Sequence, residues 1–173
     1  MKPKVLIIMG SDSDLPVMEE TEKILREFGI SFKTTIASAH RSPERAVKIV
    51  KEAEKKGVET IIAGAGAAAH LAGSIAAHTT LPVIGVPINS SPFQGLDALL
   101  STVQMPPGVP VAAMAVGKAG AKNAAIFAAE IIGRKDARVA KKLKAYKKKM
   151  SRDVENKARA LSLSAKDRGI LRH

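Results

Sequence analysis

The 173-residue chain contains no cysteine and no tryptophan, one tyrosine, and aromatic residues at only 3 % of positions. Without cysteine there is no disulfide framework, no thiolate nucleophile and no cysteine metal site, which suits a cytoplasmic protein. With so few aromatic rings, platforms on which bases of a nucleic acid could stack are scarce. A third absence is local: from Thr60 to Leu96 there is no Asp, Glu, Lys or Arg. This is not a membrane span, because Gly64, Gly66, His70, Gly73, His78, Pro82, Gly85 and Pro87 interrupt it too often for a bilayer helix. It reads as buried interior. The basic, apolar start "MKPKVLIIMGSDSD" has too short an apolar run for a signal-peptide core, and acids follow it.

What the chain has in excess is positive charge, +12 in all. Residues 1–133 hold 13 basic and 12 acidic side chains, whereas residues 134–173 hold 15 and 4. The expected organisation is therefore a nearly neutral domain over 1–133, followed by a basic helix and tail over 134–173. Tyr146 is the only aromatic residue in that tail, so a solvated basic helix is a better reading than a nucleic-acid-binding arm.

Apolar residues, mostly Ile, Val, Leu and Ala, make short β-rich runs that alternate with helical ones. Strands are expected at Lys4–Met9, Phe32–Ala37, Val58–Ala63, Pro82–Val86 and Pro110–Val116. Helices are expected at Leu15–Phe28, Pro43–Lys56, Ala68–Ala77, Leu96–Val103, Ala121–Ile132 and from Lys135 to about Ala160. Gly29 and Gly57 stand where helices stop, and Pro43 where one starts. Five β–α units in succession predict an α/β fold: a three-layer, flavodoxin-like (Rossmann-like) parallel sheet of order 2-1-3-4-5, with an added C-terminal helix. Ligands of such sheets bind beyond the carboxyl ends of the strands, at the switch between strands 1 and 3.

Four chemically suggestive loops follow the first four strands: "GSDSD", "SAHRSP", "GAGAAAH" and "PINSS". Ser11 and Ser13 precede a helix, with Asp14 in its first turn. They suit either a helix cap or an anion cradle, and Asp14 suits a sugar diol better than a phosphate. Arg41, a cation beside a helix start, opposes the helix dipole unless an anion lies between them. His40 lies beside it, after Ser38, among small residues at the ligand edge. Histidine is the side chain suited to acid–base work near neutral pH. Gly64 and Gly66 read as backbone thinned for a ligand's close approach. His70 is open between a structural polar residue and a site residue, and His78 is a partner for a helix C-terminus. "GAGAAA" matches the dinucleotide fingerprint only weakly: it follows the third strand, and no acid stands about 20 residues on. The four histidines have no metal-ligand spacing.

Taken together, "MGSDSD", "SAHRSP", "AGAGAAAHLAG", "PVIGVP" and "GLDALLSTVQMPPGVPVAAMAVG" resemble the N5-carboxyaminoimidazole ribonucleotide mutase family of purine biosynthesis over about residues 4–133. The resemblance implies a flavodoxin-like subunit assembled as a homo-octamer. It implies an isomerase that moves a carboxylate from the exocyclic nitrogen of an aminoimidazole nucleotide to ring carbon C4, with neither cofactor nor metal. By motif, His40 and His70 match the catalytic histidines. Ser11, Asp14 and Arg41 match nucleotide-binding positions, and Ser13 and Ser38 the phosphate end. Gly64, Gly66 and Leu71 match the loop that holds the reacting end. Functional coupling to the enzyme that makes the labile carbamate substrate would follow, with no nucleic-acid or membrane partner. Ala67 stands where the family commonly has Gly, Ala72 where it commonly has Pro, and "INSSPFQ" is an unusual fourth loop. A carboxylase acting directly on the aminoimidazole nucleotide and CO2 is the near alternative, but that class generally lacks the Ala-Ala-His loop. A non-enzymatic nucleotide- or nucleic-acid-binding domain is the alternative from another class. The basic arm is expected to pack across subunits through Leu143, Tyr146 and Met150.

Overall fold

The structure is a computed structural model that describes residues 2–167, with side chains to residue 162. Its order is β1 (Val5–Met9), a 3-10 turn (Asp12–Asp14), α1 (Leu15–Phe28), β2 (Phe32–Ile36), α2 (Pro43–Lys55) and β3 (Thr60–Gly66). Then follow α3 (Leu71–Ala76), β4 (Val83–Ile88), α4 (Leu96–Val103), β5 (Ala112–Ala113), α5 (Lys118–Gly133) and α6 (Ala137–Asp167). All strand pairs are parallel, in the order β2-β1-β3-β4-β5. This is the doubly wound arrangement that the β–α alternation predicts.

The sheet is covered on both faces, so its central strands carry no polar alternation. All five residues of β1 and all six of β4 are buried. Val5, Ile7 and Met9 point into a core shared with α1, α5 and the start of α6, while Leu6 and Ile8 point into one shared with α2 and α3. Alternation thus selects a face, not solvent. α5 presents Ala121, Ala124, Ala125, Ala128 and Ala129, all fully buried, and these small side chains allow a close approach to α1. Buried Thr21 Oγ1 donates to the Ala121 carbonyl at 2.9 Å across that seam.

α1 and α4 have the expected bounds. α1 ends at Gly29 in the left-handed region (φ 71°), where its N–H satisfies the last turn. The β3–α3 region differs. β3 runs on to Gly66 and α3 starts only at Leu71, because Ala67 takes a left-handed conformation (φ 49°) that breaks the chain direction. β5 shrinks to two residues where seven were expected. Pro106, Pro107 and Pro110 approach it without backbone N–H groups, as befits a sheet edge. α5 gains a turn at its start, beginning directly after Gly117.

α6 begins on the body of its own subunit. Val139 and Leu143 are buried in the α1/α5 core, Tyr146 is packed against Phe28 with ring centroids 5.6 Å apart, and Lys147 pairs with Glu130. Leu143 and Tyr146, expected to be covered by a neighbouring subunit, are covered here by their own. Met150 is exposed, as are Val154 and Leu161. The expected tail packing beyond residue 167 lies outside the described residues. No helix among the described residues is long and apolar enough to cross a membrane.

Candidate functional site

The loops after β1, β2, β3 and β4 converge at the carboxyl edge of the sheet on a cavity of about 390 Å³. The topology dictates this. β1 and β3 are neighbours, yet their following helices pack on opposite faces, so the loops part and leave a crevice at the switch point. Nine of the ten residues singled out from the sequence line it: Ser11, Ser13, Asp14, Ser38, His40, Arg41, Gly66, His70 and Leu71.

The β1 loop satisfies the capping reading in a particular way. Ser11 caps the 3-10 turn: its hydroxyl accepts from Ser13 N–H, and the Asp14 carboxylate reaches back to accept from Ser11 N–H at 3.0 Å. Asp14 is only 4 % exposed, and burial pushes its carboxyl above the usual range against the pull of the Ser11 and Gly10 N–H groups. Ser13 stays exposed.

In the β2 loop, Ser38 builds the turn. Its Oγ accepts from the N–H groups of His40 (3.3 Å) and Arg41 (3.1 Å). Ser42 closes the same turn from the other side, accepting from Ser38 N–H at 3.0 Å. The two serines fix the backbone from which His40 and Arg41 project. Arg41 Nη2 donates to the Gly10 carbonyl at 3.3 Å, bridging the β2 and β1 loops, and its side chain remains exposed to the cavity.

The sharpest contact joins the β2 and β3 loops. His40 Nε2 lies 2.7 Å from His70 Nδ1, with the rings edge to face at 72°. At this distance one ring nitrogen donates an N–H and the other accepts it, the roles being set by the tautomer of each ring. Two imidazoles in hydrogen-bond contact at the cavity wall are groups of the kind that can pass a proton to and from a ligand.

Gly64 is the residue that the structure does not bring to the wall. It pairs with Met9 beneath the cavity, and a Cβ there would stand 2.5 Å from Met18 Sδ. Its bareness makes room for the core. Gly66 differs: a Cβ there would stand 1.8 Å from Ser90 Oγ. Ser90 itself lines the cavity and was not singled out from the sequence, although its loop was. Nothing local marks it, since its place depends on β3 and β4 running side by side. Gly10, Ala39, Ala65, Ala67 and Ala68 complete the wall as small residues or backbone. His78 stands apart, its Nδ1 2.8 Å from the Ser74 carbonyl at the end of α3. Among the described residues, no group of three His, Asp or Glu side chains is placed to hold a metal ion.

The chain is similar to known proteins over most of its length. Residues 4–153 match the AIR carboxylase family model. The chain is 59 % identical over 160 residues to N5-carboxyaminoimidazole ribonucleotide mutase of Pyrococcus horikoshii, covering 92 % of this chain and 89 % of that one. It is 57 % identical over 159 residues to the mutase of Thermotoga maritima, covering 92 % of each. The crystal structure of Treponema denticola PurE aligns with a TM-score of 0.84 at 31 % identity, over 92 % of this chain and 98 % of that one.

Proposed function

The chain belongs to the AIR carboxylase family, and from that premise we propose that it converts N5-carboxyaminoimidazole ribonucleotide to 4-carboxy-5-aminoimidazole ribonucleotide in purine biosynthesis, with His40 as acid and then base. The observation that carries the chemical assignment is the 2.7 Å contact between His40 and His70 in a cavity that also holds Ser11, Asp14 and Arg41.

The steps balance with one proton and no external reagent. Protonated His40 gives its proton to the carbamate nitrogen. The N–C bond breaks, its electrons stay on nitrogen, and CO2 is freed. The aminoimidazole is now an enamine, nucleophilic at C4, and C4 attacks the carbon of the trapped CO2. Neutral His40 then removes the C4 proton, which restores the aromatic ring and its own starting state. His70 steadies the imidazole and shares its proton.

The remaining residues serve position. Arg41, Ser13 and Ser38 form the phosphate end, and Ser11 and Asp14 face the ribose and the turn beside it. Binding energy gathered there orients the ring that reacts elsewhere. Gly66, Leu71 and the alanines of the β3 loop make a close, apolar wall for CO2, which is small, neutral and otherwise lost.

The subunit works within a cytoplasmic homo-octamer, supplied by the enzyme that forms the carbamate. Two exposed apolar features support assembly: Phe93 (71 % exposed) and Leu96 (58 %) with Leu100 and Val103 on α4, and the stripe of Met150, Val154 and Leu161 on α6. The His40→Asn variant tests the chemistry. Turnover should fall by about 10²–10⁴-fold, the usual contribution of a positioned acid–base group, while nucleotide binding survives. Unchanged turnover would remove His40 from the reaction.

A further inference from the structure

We infer that Ser90 is a positioning residue for the migrating carboxyl group: its hydroxyl donates a hydrogen bond to an oxygen of the CO2 held between the two bond-changing steps. This rests on the reaction proposed above.

Four observations converge on it. Ser90 is the only residue that the β4 loop contributes to the cavity wall. The neighbouring wall, from Ala65 to Ala68, offers no polar side chain, so the Ser90 hydroxyl is the one side-chain donor on that stretch. No described group forms a hydrogen bond with Ser90 Oγ, whereas Ser11 Oγ donates to Asp12 and Ser38 Oγ accepts from the His40 and Arg41 N–H groups, both within the β1 and β2 loops assigned to the ribose and phosphate. Gly66 makes the placement feasible, because any side chain there would overlap Ser90 Oγ at 1.8 Å.

The residue before Ser90 packs closely: Asn89 sits against two glycines in the positive-φ region, its backbone against Gly95 and its side chain against Gly117. A Cβ on Gly95 (φ 89°) would stand 3.2 Å from Asn89 Cα, and one on Gly117 (φ 73°) would stand 3.2 Å from Asn89 Oδ1. Gly117 N–H donates to the Pro87 carbonyl at 2.8 Å, tying the start of α5 to β4. These contacts place the backbone that carries Ser90 at the cavity edge, and the hydroxyl turns about its own side-chain bond to meet a ligand.

Position in the sheet sets its role. Arg41 follows β2, at one end of the order β2-β1-β3-β4, and Ser90 follows β4 at the other, while the His40 side chain reaches from the β2 loop to His70 in the β3 loop between them. Three strand spacings of about 4.8 Å separate those strands, roughly 14 Å. Ser90 is thus far from the phosphate end and beside the apolar wall assigned to CO2. There a single hydroxyl can hold one CO2 oxygen and turn the carbon toward C4, and it then bonds the carboxylate as charge develops.

The test is Ser90→Ala, with Ser90→Thr as the conservative partner, in the full-length protein with the carbamate nucleotide. Wild-type conversion is the control. If wild type fails to convert the nucleotide, the assigned reaction falls. If wild type converts it, Ser90 is judged on the variants alone. In Ser90→Ala, kcat should drop by about tenfold with KM little changed, as expected when a hydrogen bond made chiefly in the transition state is lost. More of the freed CO2 should escape, read as free aminoimidazole nucleotide accumulating beside the product. Ser90→Thr should restore retention. A Ser90→Ala enzyme with wild-type kcat and wild-type CO2 retention would overturn the inference. So would a loss appearing only in KM, which would make Ser90 a general binding contact.

Discussion

Gly64 and Gly66 are two residues apart, yet the structure gives them opposite duties, and a single added methyl group should separate them. In Gly64→Ala the new Cβ would stand 2.5, 3.0 and 3.1 Å from Met18 Sδ, Cγ and Cε. Met18 is fully buried, so it has nowhere to retreat. Overpacking of this kind costs about 1–3 kcal/mol. Replacing glycine in a strand returns about 0.5–1 kcal/mol of backbone entropy. The net loss is about 1–2 kcal/mol, or about 4 °C in Tm for a chain of this size. In Gly66→Ala the new Cβ would stand 1.8 Å from Ser90 Oγ, which can rotate away on an exposed residue, and at the tight distances of 3.0 Å from Ser90 Cβ and 3.1 Å from the Ile88 carbonyl oxygen, so stability should fall by about 1 kcal/mol or less. The rotated hydroxyl leaves the wall, and kcat should fall by about tenfold. Thermal unfolding followed by circular dichroism at one fixed protein concentration, together with turnover of the carbamate nucleotide, reads both effects. The reverse pattern, a Gly64→Ala protein with unaltered Tm and lost substrate binding, would refute the reasoning and make Gly64 part of the wall.

Three further outcomes are expected. Burial raises the Asp14 carboxyl above its unfolded value, so ionising it works against the fold: Asp14 contributes stability at low pH that is lost as pH rises through the folded value. Asp14→Asn should therefore match wild type in Tm below pH of about 3.8, exceed it by a margin that grows as the folded-state carboxyl ionises and is constant above that, and lose nucleotide binding. Ala67 pays for a left-handed conformation, so Ala67→Gly should raise Tm by about 2 °C, the balance of about 1–2 kcal/mol of relieved strain and the entropy that glycine adds. Ending the chain after Lys149 should keep the subunit's circular dichroism, since Val139, Leu143 and Tyr146 remain. It should lower the assembly size in sedimentation, because Met150, Val154 and Leu161 are removed; an unchanged size would show that the outer part of α6 covers no neighbour.

How far the sequence speaks depends on the range of the interaction. α1 and α4 have the expected bounds because their signals are local: Pro16 near the start and Gly29 at the end of one, Gly95 before the other. The strand order followed from the number and succession of β–α units. The two ends of β5 were less legible, because pairing on a sheet edge depends on what β4 offers and not on apolar content. The wall residues of the first three loops were legible, since serine, histidine and arginine cluster there in short motifs. Gly64 and Ser90 were not. A glycine in a strand looks the same whether it spares room for a ligand or for Met18, and Ser90 gains meaning only from Gly66 across the β3–β4 ladder. Likewise the apolar stripe of α6 was visible in sequence, but whether Leu143 and Tyr146 meet their own subunit or another depends on where α5 delivers the helix.

The most direct test of the central claim follows the carboxyl carbon. The purified protein is mixed with N5-carboxyaminoimidazole ribonucleotide in isotopically labelled bicarbonate, without ATP, and the C4-carboxylated product is analysed. Rapid formation with little label is the predicted result, because CO2 freed beside His40 is captured before it exchanges. Product that forms only from free aminoimidazole ribonucleotide and CO2, fully labelled, would contradict the account and make the protein a direct carboxylase.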